Sequence, residues 1–175
     1  NTVPKVMRAN PFAELNSMLG PGGERWVPVH GSVPFSKTVE IYEACEAVFA
    51  RHAEAMRKFD IDRGYLCCTV GQAGTLLEPV MYWPEARAAF HARVLDAAYL
   101  AKLEKFPSNP DASAAVAKLR VELADVFSAH GAVSFQLGKF YPYQRGLTAS
   151  ASGLLASLKQ LLDPRGVMNP GALGL

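Results

Sequence analysis

Residues 63–83 have the sequence RGYLCCTVGQAGTLLEPVMYW, which contains two β-like runs around a short turn. Residues 63–70 and 75–83 are rich in Tyr, Leu, Cys, Thr, Val and Trp, types that favour strands. The four residues between them, Gly71 to Gly74, are bounded by glycines, so the stretch predicts a β-hairpin. Pro79 has no backbone N–H and is expected to interrupt the ladder of the second strand.

The elements predicted on either side of the hairpin define the fold class. Apolar residues recur at helical spacing over 37–59 and 111–130, and a Pro-rich extended stretch at 24–33 precedes the first of these helices. The central order is strand 24–33, helix 37–59, strand 63–71, strand 74–83, helix 111–130 and strand 132–138. This β-α-β-β-α-β order predicts an α+β fold with a ferredoxin-like antiparallel sheet and helices on one face.

Three further helices are expected outside this central order. One is inserted at 85–105, one follows at 149–162 and a short one occupies 11–19. We expect residues 1–23 to form an N-terminal linker or extension and residues 24–175 to form one domain. The sequence opens at Asn1 without an initiator Met or a signal peptide, which favours a piece of a longer protein.

Composition excludes several classes of protein. The 175 residues include 18 Lys and Arg against 16 Asp and Glu, a net charge of +2 without a basic cluster, which argues against nucleic acid as a partner. No apolar run reaches the roughly 18 residues of a membrane span. Three cysteines without a Cys-x-x-Cys spacing argue against a zinc site or a disulfide scaffold. A reducing, cytoplasmic location is therefore expected.

Three motifs resemble one known family. Residues 163–171, DPRGVMNPG, follow the last predicted helix, residues 131–138 are GAVSFQLG, and residues 77–84 are LEPVMYWP. Together with the order of elements, these motifs resemble the C-terminal domain of the FAD-linked oxidases, the family of vanillyl-alcohol oxidase, 4-cresol dehydrogenase, glycolate oxidase and the D-lactate dehydrogenases. The resemblance covers most of residues 24–175.

The resemblance implies a cap domain that covers the isoalloxazine ring of FAD and shapes a substrate pocket. The implied reaction is oxidation of a small alcohol, hydroxy acid or phenolic substrate by hydride transfer to the flavin. The chain's own N-terminal FAD-binding domain would hold the cofactor, since no glycine-rich pyrophosphate cradle occurs here. Gly22-Gly23-Glu24-Arg25 offers no nucleophile, so FAD would be non-covalent. The isolated chain would be inactive, and a homodimer is a further expectation.

The sequence departs from the family where the best-known members carry their chemistry. Phe135, Gln136 and Leu137 occupy the positions of the base His of the hydroxy-acid branch and of the Tyr-Arg pair of the phenol branch. None of these three side chains is a base at neutral pH. The segment 67–76 contains neither His nor Asp, so no metal is expected.

The candidate site residues lie mainly in and after the 131–138 segment. Tyr143 and Arg145 are catalytic candidates because they could stabilise an oxyanion or a carboxylate, and His30, in the first strand, is a candidate proton acceptor. Gln136 and Asn169 are cofactor-binding candidates. The candidates for substrate binding are Tyr141, Phe135 and Glu78.

Structural alternatives stay open for these residues. The tyrosines and Arg145 could simply cover a sheet edge, Asn169 could serve the backbone of an Asn-Pro-Gly turn, and Glu78 could be a solvated or paired carboxylate. The charges of helices 37–59 and 111–130 are interpreted as solvated faces. The alternative function is a stand-alone ferredoxin-like domain for ligand binding or dimerisation, without catalysis.

Overall fold

A computed structural model describes Lys5, Ala9, residues 18–136 and residues 138–175. The predicted helix at 11–19 lies largely outside these residues. The strands and helices, in chain order, are β1 (Arg25–Pro28), β2 (Gly31–Pro34), α1 (Thr38–Arg51), α2 (Ala53–Phe59), β3 (Asp62–Val70), β4 (Gly74–Trp83), α3 (Ala89–Val94), α4 (Ala97–Leu100), α5 (Pro110–Ala129) and α6 (Ala149–Leu162). Short 3-10 turns occupy Phe35–Lys37, Tyr143–Gly146 and Ala172–Gly174.

The sheet is antiparallel, and the fold is α+β as predicted. β3 and β4 form the expected hairpin, and β1 and β2 both pair with β4. The register runs from Arg25↔Trp83 to Pro28↔Val80 for β1 and from Gly31↔Leu77 to Pro34↔Gly74 for β2. Both stretches share one register, so β1 and β2 are the predicted strand 24–33 with a gap at residues 29 and 30.

Pro79 accounts for the gap. The Val29 N–H donates to the Pro79 carbonyl at 2.9 Å, but Pro79 has no N–H to return the second bond of an antiparallel pair. The next residue, His30, turns its N–H away from β4. The position of His30 between two short strands is therefore a consequence of one proline on the neighbouring strand.

The predicted strand 132–138 is wrong over most of its length. Of the residues in this segment that the structure describes, only Val133 pairs; its N–H and carbonyl bond to Ser32 in an isolated antiparallel bridge. At the next position along the ladder, the His30 N–H donates to the hydroxyl of Tyr141 instead of a strand carbonyl. The Tyr141 side chain thus accepts the hydrogen bond that the backbone of the predicted last strand would have accepted.

Two predicted helices are divided. The 37–59 helix appears as α1 and α2, because His52 leaves the helical conformation with φ −101° and ψ 9°. The 85–105 helix is reduced to α3 and α4, separated by the extended Leu95. The helices predicted at 111–130 and 149–162 are confirmed as α5 and α6 within one residue at each end. Among the described residues, no helix has the length and apolar character that crossing a membrane requires.

The chain divides into two compact units. Unit 1 comprises the segment up to Pro28, His52–Gly64 and Val80–Lys118, and unit 2 comprises Val29–Arg51, Tyr65–Pro79 and Leu119–Leu175. The buried apolar side chains of unit 1 include Leu19, Met56, Ile61, Val80, Met81, Trp83, Leu95, Ala112 and Val116. Those of unit 2 include Val29, Val33, Ile41, Cys45, Val48, Phe49, Leu76, Leu77, Leu119, Leu123 and Phe127.

A buried carboxylate organises part of unit 1. Glu85 accepts hydrogen bonds from the N–H groups of Ala86 and Asn109 and from the Ser113 hydroxyl, at 2.8, 3.0 and 2.9 Å. Ser113 in turn accepts the indole N–H of Trp83. Burial alone raises the pKa of Glu85, but these donors outweigh it and the net pKa is lowered.

Candidate functional site

His30 lies at the centre of the candidate site in unit 2. Its side chain is fully buried, and Tyr141 contacts it twice. The Tyr141 hydroxyl lies 2.8 Å from the ring Nδ1 and accepts the backbone N–H of His30 at 3.1 Å. On the other side of the ring, the backbone N–H of Gln136 donates a hydrogen bond to Nε2 over a long distance of 3.4 Å. Burial lowers the pKa of His30, so the ring is neutral at pH 7.

Two further predicted residues adjoin the same imidazole. The Phe135 ring stacks on it with a centroid distance of 4.2 Å. The Glu78 carboxylate lies 3.9 Å from Nδ1 and is largely buried. Burial raises the pKa of Glu78, which shifts it toward the protonated form. Five of the eight predicted site residues, one of them His30 itself, therefore form one contact cluster.

Arg120 is a further residue near this cluster and was not among the predicted site residues. This residue lies on α5, whose charges were expected to form a solvated face, but its guanidinium carbon lies 3.6 Å from the centroid of the Phe140 ring. Its Nε is buried and has no hydrogen-bond partner among the described residues. Burial raises the pKa of Tyr141, whereas the His30 N–H and the positive charge of Arg120 lower it and Glu78 raises it further. Arg120 lies four residues from buried Val116 and four from buried Ala124, a spacing that places it beside the apolar stripe.

A cavity of about 420 Å³ lies beside this cluster within unit 2. Gln136, Tyr141, Tyr143 and Arg145 line it, so four predicted residues face one space. The remaining lining comes largely from the end of α5 and from small or apolar side chains: Ala124, Phe127, Ser128, Gly131, Ala132, Val133, Ser134, Gly138, Pro142, Gly146 and Leu147. His30 is not among the lining residues and contacts the cavity wall through Tyr141 and Gln136.

Arg145 lines the cavity and forms an ion pair with Asp125. Its Nη1 lies 3.0 Å from the Asp125 carboxylate, and both side chains are more than half exposed. An exposed pair of this kind is weak, so Arg145 can exchange Asp125 for a ligand at small cost. The catalytic candidates Tyr143 and Arg145 are thus placed together, while the third candidate, His30, lies behind Tyr141.

Asn169 lies outside this cluster. It is exposed in the loop after α6, has φ +44°, and its carbonyl accepts the Ala172 N–H. This left-handed backbone is one that Asn tolerates better than most residues. Among the described residues that line the cavity, Asn169 is absent.

The 163–171 motif stabilises the backbone of the loop that follows α6. The buried Asp163 carboxylate accepts the N–H groups of Val167 and Met168, each at 2.9 Å, and the Lys159 ammonium at 2.5 Å. Lys159 also donates to the Met168 carbonyl at 2.6 Å. The ammonium and the two N–H groups lower the pKa of Asp163. The motif fixes a loop that presents the exposed side chains of Val167 and Met168.

The cavity suits a ring-sized group better than a whole dinucleotide. Its volume is within the range of small-molecule sites, its walls are mostly apolar, and Gln136 offers an amide that can both donate and accept. These features fit the isoalloxazine end of a flavin or a small substrate. The described residues contain no glycine-rich strand-turn-helix cradle for a pyrophosphate. They also contain no group of three or more His, Cys, Asp or Glu that could hold a metal ion.

Fold and site together define an α+β domain with a small-molecule cavity beside a buried His–Tyr cluster. A family model described as "FAD linked oxidases, C-terminal domain" matches residues 7–173. The chain therefore belongs to the FAD-linked oxidase C-terminal domain family, and the resemblance inferred from the sequence is confirmed. No curated protein and no solved structure matches the chain. Membership of the family implies an FAD-linked oxidoreductase in which this chain is the cap.

Proposed function

We propose that this cap serves an enzyme that oxidises a small alcohol, hydroxy acid or phenolic substrate by hydride transfer to a non-covalently bound FAD. The observation that carries the proposal is the family match over residues 7–173. An N-terminal FAD-binding domain would hold most of the cofactor, and this chain would cover the ring and shape the substrate pocket. When bound, FAD supplies the two-electron acceptor.

The chain's own residues would bind and orient the substrate. Tyr143 and Arg145 would contact the reacting oxygen or a carboxylate, because a phenol donates one hydrogen bond and a guanidinium donates two in parallel. Gln136 would contact the flavin ring through its amide. Phe135 and Glu78 would support the wall behind Tyr141. The apolar lining would exclude water around these groups.

An exposed apolar surface supports a covering domain. The exposed large apolar side chains of α6 and of the following loop are Leu154, Leu158, Leu161, Leu162, Val167 and Met168. Contiguous apolar surfaces of this kind usually mark an interaction site. The proposed FAD-binding domain would cover this surface, and Asn169 would lie at its border. A homodimer and a cytoplasmic location stay predictions from the sequence.

Substitution of Arg145 tests the proposal in the chain joined to its FAD-binding domain. Arg145→Gln should lower kcat/KM by about 10- to 100-fold, the equivalent of losing one charged hydrogen bond, and Tyr143→Phe should lower it by a smaller factor. Bleaching of the oxidised-flavin absorption band under anaerobic conditions, with a panel of alcohols, hydroxy acids and phenols, measures the reaction. The 175-residue chain alone should give no turnover.

Arg51→Gln is the matched control. Arg51 forms an exposed ion pair with Glu122 at 3.1 Å in the same unit, so this variant loses a comparable surface pair away from the cavity. Its kcat/KM should stay within about twofold of the parent. Equal losses in the Arg145 and Arg51 variants, or turnover by the chain alone, would contradict the proposal.

A further inference from the structure

The hydrogen bonds around His30 fix the position of its ring proton. The Gln136 N–H is a donor and faces Nε2, so Nε2 must be the accepting, unprotonated nitrogen of the neutral ring. The proton of the neutral imidazole is then on Nδ1. Nδ1 lies 2.8 Å from the Tyr141 hydroxyl, to which it donates.

Tyr141 consequently accepts two hydrogen bonds from one residue. Its oxygen receives the backbone N–H of His30 at 3.1 Å and the Nδ1–H at 2.8 Å, which occupies both lone pairs. The phenolic proton remains, and it has no acceptor among the described residues. Tyr141 is half-buried and lines the cavity, so a hydrogen-bond acceptor for this proton would lie inside that space.

The charges near Tyr141 are balanced. The negative charge of Glu78 raises the pKa of Tyr141, and the positive charge of Arg120 lowers it. Arg145, the charged side chain on the described cavity wall, already has a carboxylate partner in Asp125, so a ligand carboxylate would only replace that partner and would not neutralise a free cation. A carboxylate placed against Tyr141 would lose its hydration without gaining an uncompensated cation there. The site therefore favours an uncharged oxygen.

We infer that Tyr141 donates a hydrogen bond into the cavity, with His30 as its positioning residue, to the oxygen of a small uncharged alcohol or aldehyde. This inference deepens the proposed function, on which the identification of that molecule as substrate or product rests. It makes Tyr141 a hydrogen-bond donor to the ligand and excludes His30 from direct contact with it.

The ring tautomer gives a test that does not depend on turnover. ¹⁵N NMR shifts of the imidazoles in the 175-residue chain should show a neutral His30 protonated on Nδ1, and His30→Asn should identify the signal by its loss. An Nε2-protonated ring overturns the inference, since Tyr141 would then donate to Nδ1 and have no proton left for a ligand.

Ligand binding to the same chain gives the second test. Benzyl alcohol, benzaldehyde and benzoate are titrated, and binding is followed by the shifts of the cavity-lining residues. The two neutral probes should bind more tightly than benzoate, and Tyr141→Phe should weaken them by about 2- to 12-fold, which corresponds to one neutral hydrogen bond. Tyr42→Phe, a half-exposed tyrosine outside the cavity lining, should leave binding unchanged.

Substitution of His30 separates positioning from mere packing. Asn retains an N–H donor near the place of Nδ1, so His30→Asn should keep neutral-probe binding close to that of the parent. His30→Leu fills a similar volume without a donor and should weaken binding as Tyr141→Phe does. Tighter binding of benzoate, no binding of the neutral probes, or equal binding by the Asn and Leu variants overturns the inference.

Failure of the proposed function would look different. If the neutral probes bind through Tyr141 but the chain joined to an FAD-binding domain oxidises none of the alcohols, the cavity inference stands and the proposed reaction is wrong. If alcohols are oxidised but Tyr141→Phe changes neither binding nor KM, the reaction stands and the role of Tyr141 is wrong.

Discussion

Lowering the pH from 7.5 to 5.5 should destabilise the chain partly through His30, and His30→Asn should remove that part. His30 is fully buried, and burial lowers its pKa below the ordinary value, so the folded state binds this proton more weakly than the unfolded state. The stability contribution of the neutral ring is therefore intact above the unfolded pKa and declines as the pH falls toward the folded one.

The size of the effect follows from the unfolded state. A histidine with a pKa of about 6.5 stabilises the unfolded chain by about 1.4 kcal/mol on protonation between pH 7.5 and 5.5. This is the upper limit for a folded His30 that stays neutral throughout. At an m-value of about 2 kcal/mol/M, the loss lowers the urea midpoint by about 0.7 M. Glu78, whose pKa is raised, acts in the opposite direction near pH 5, so a comparison with the variant is necessary.

Urea unfolding at a series of pH values measures the effect. Far-UV circular dichroism is the suitable probe because both tryptophans, Trp26 and Trp83, belong to unit 1, whereas His30 belongs to unit 2. His91→Asn is a parallel case, since His91 is also buried with a lowered pKa and its replacement should likewise remove part of the acid destabilisation. The reasoning is refuted if the pH slope of the His30→Asn variant equals that of the parent, or if acidification destabilises the parent less than it destabilises the variant.

Two further predictions concern the carboxylates that organise each unit. Glu85→Ala removes the acceptor of three hydrogen bonds and should lower the free energy of unfolding by about 2–3 kcal/mol. The control, Glu104→Ala at an exposed position, should change it by less than about 0.5 kcal/mol, and equal effects of the two variants would show that the Glu85 network is dispensable. Asp163→Asn weakens the acceptor of two loop N–H groups, so hydrogen exchange at the amides of Val167 and Met168 should accelerate while exchange in α5 stays constant. Unchanged exchange at both amides would contradict the role assigned to Asp163.

The hairpin and two long helices could be predicted because their information is local. The glycine-bounded turn fixes the ends of β3 and β4, and the apolar periodicity of residues 111–130 marks α5 within one residue at each end. Pro79 was correctly expected to interrupt the ladder. The family was identifiable from 163–171, because Asp163, Gly166 and Asn169 satisfy backbone requirements within that one loop.

The last strand and Arg120 could not be predicted in the same way. Residues 132–138 have strand-like composition, but the ladder position beside His30 is taken by the hydroxyl of Tyr141, which is 111 residues away in sequence. Arg120 occupies a helix position whose burial depends on the distant Phe140 ring. A single sequence contains no periodicity that reports such long-range pairs.

The sequence by itself determined the fold class, the family and most of the residues that belong to the site, because turn chemistry, helical periodicity and a loop motif act over short distances. Only the tertiary structure decided what those residues do to one another. It placed His30 behind Tyr141 rather than in the cavity, separated Asn169 from the other candidates, and brought Arg120 toward the cluster. Hydrogen-bond direction and burial depend on side chains that meet across the fold, and those contacts exist only once the chain has folded.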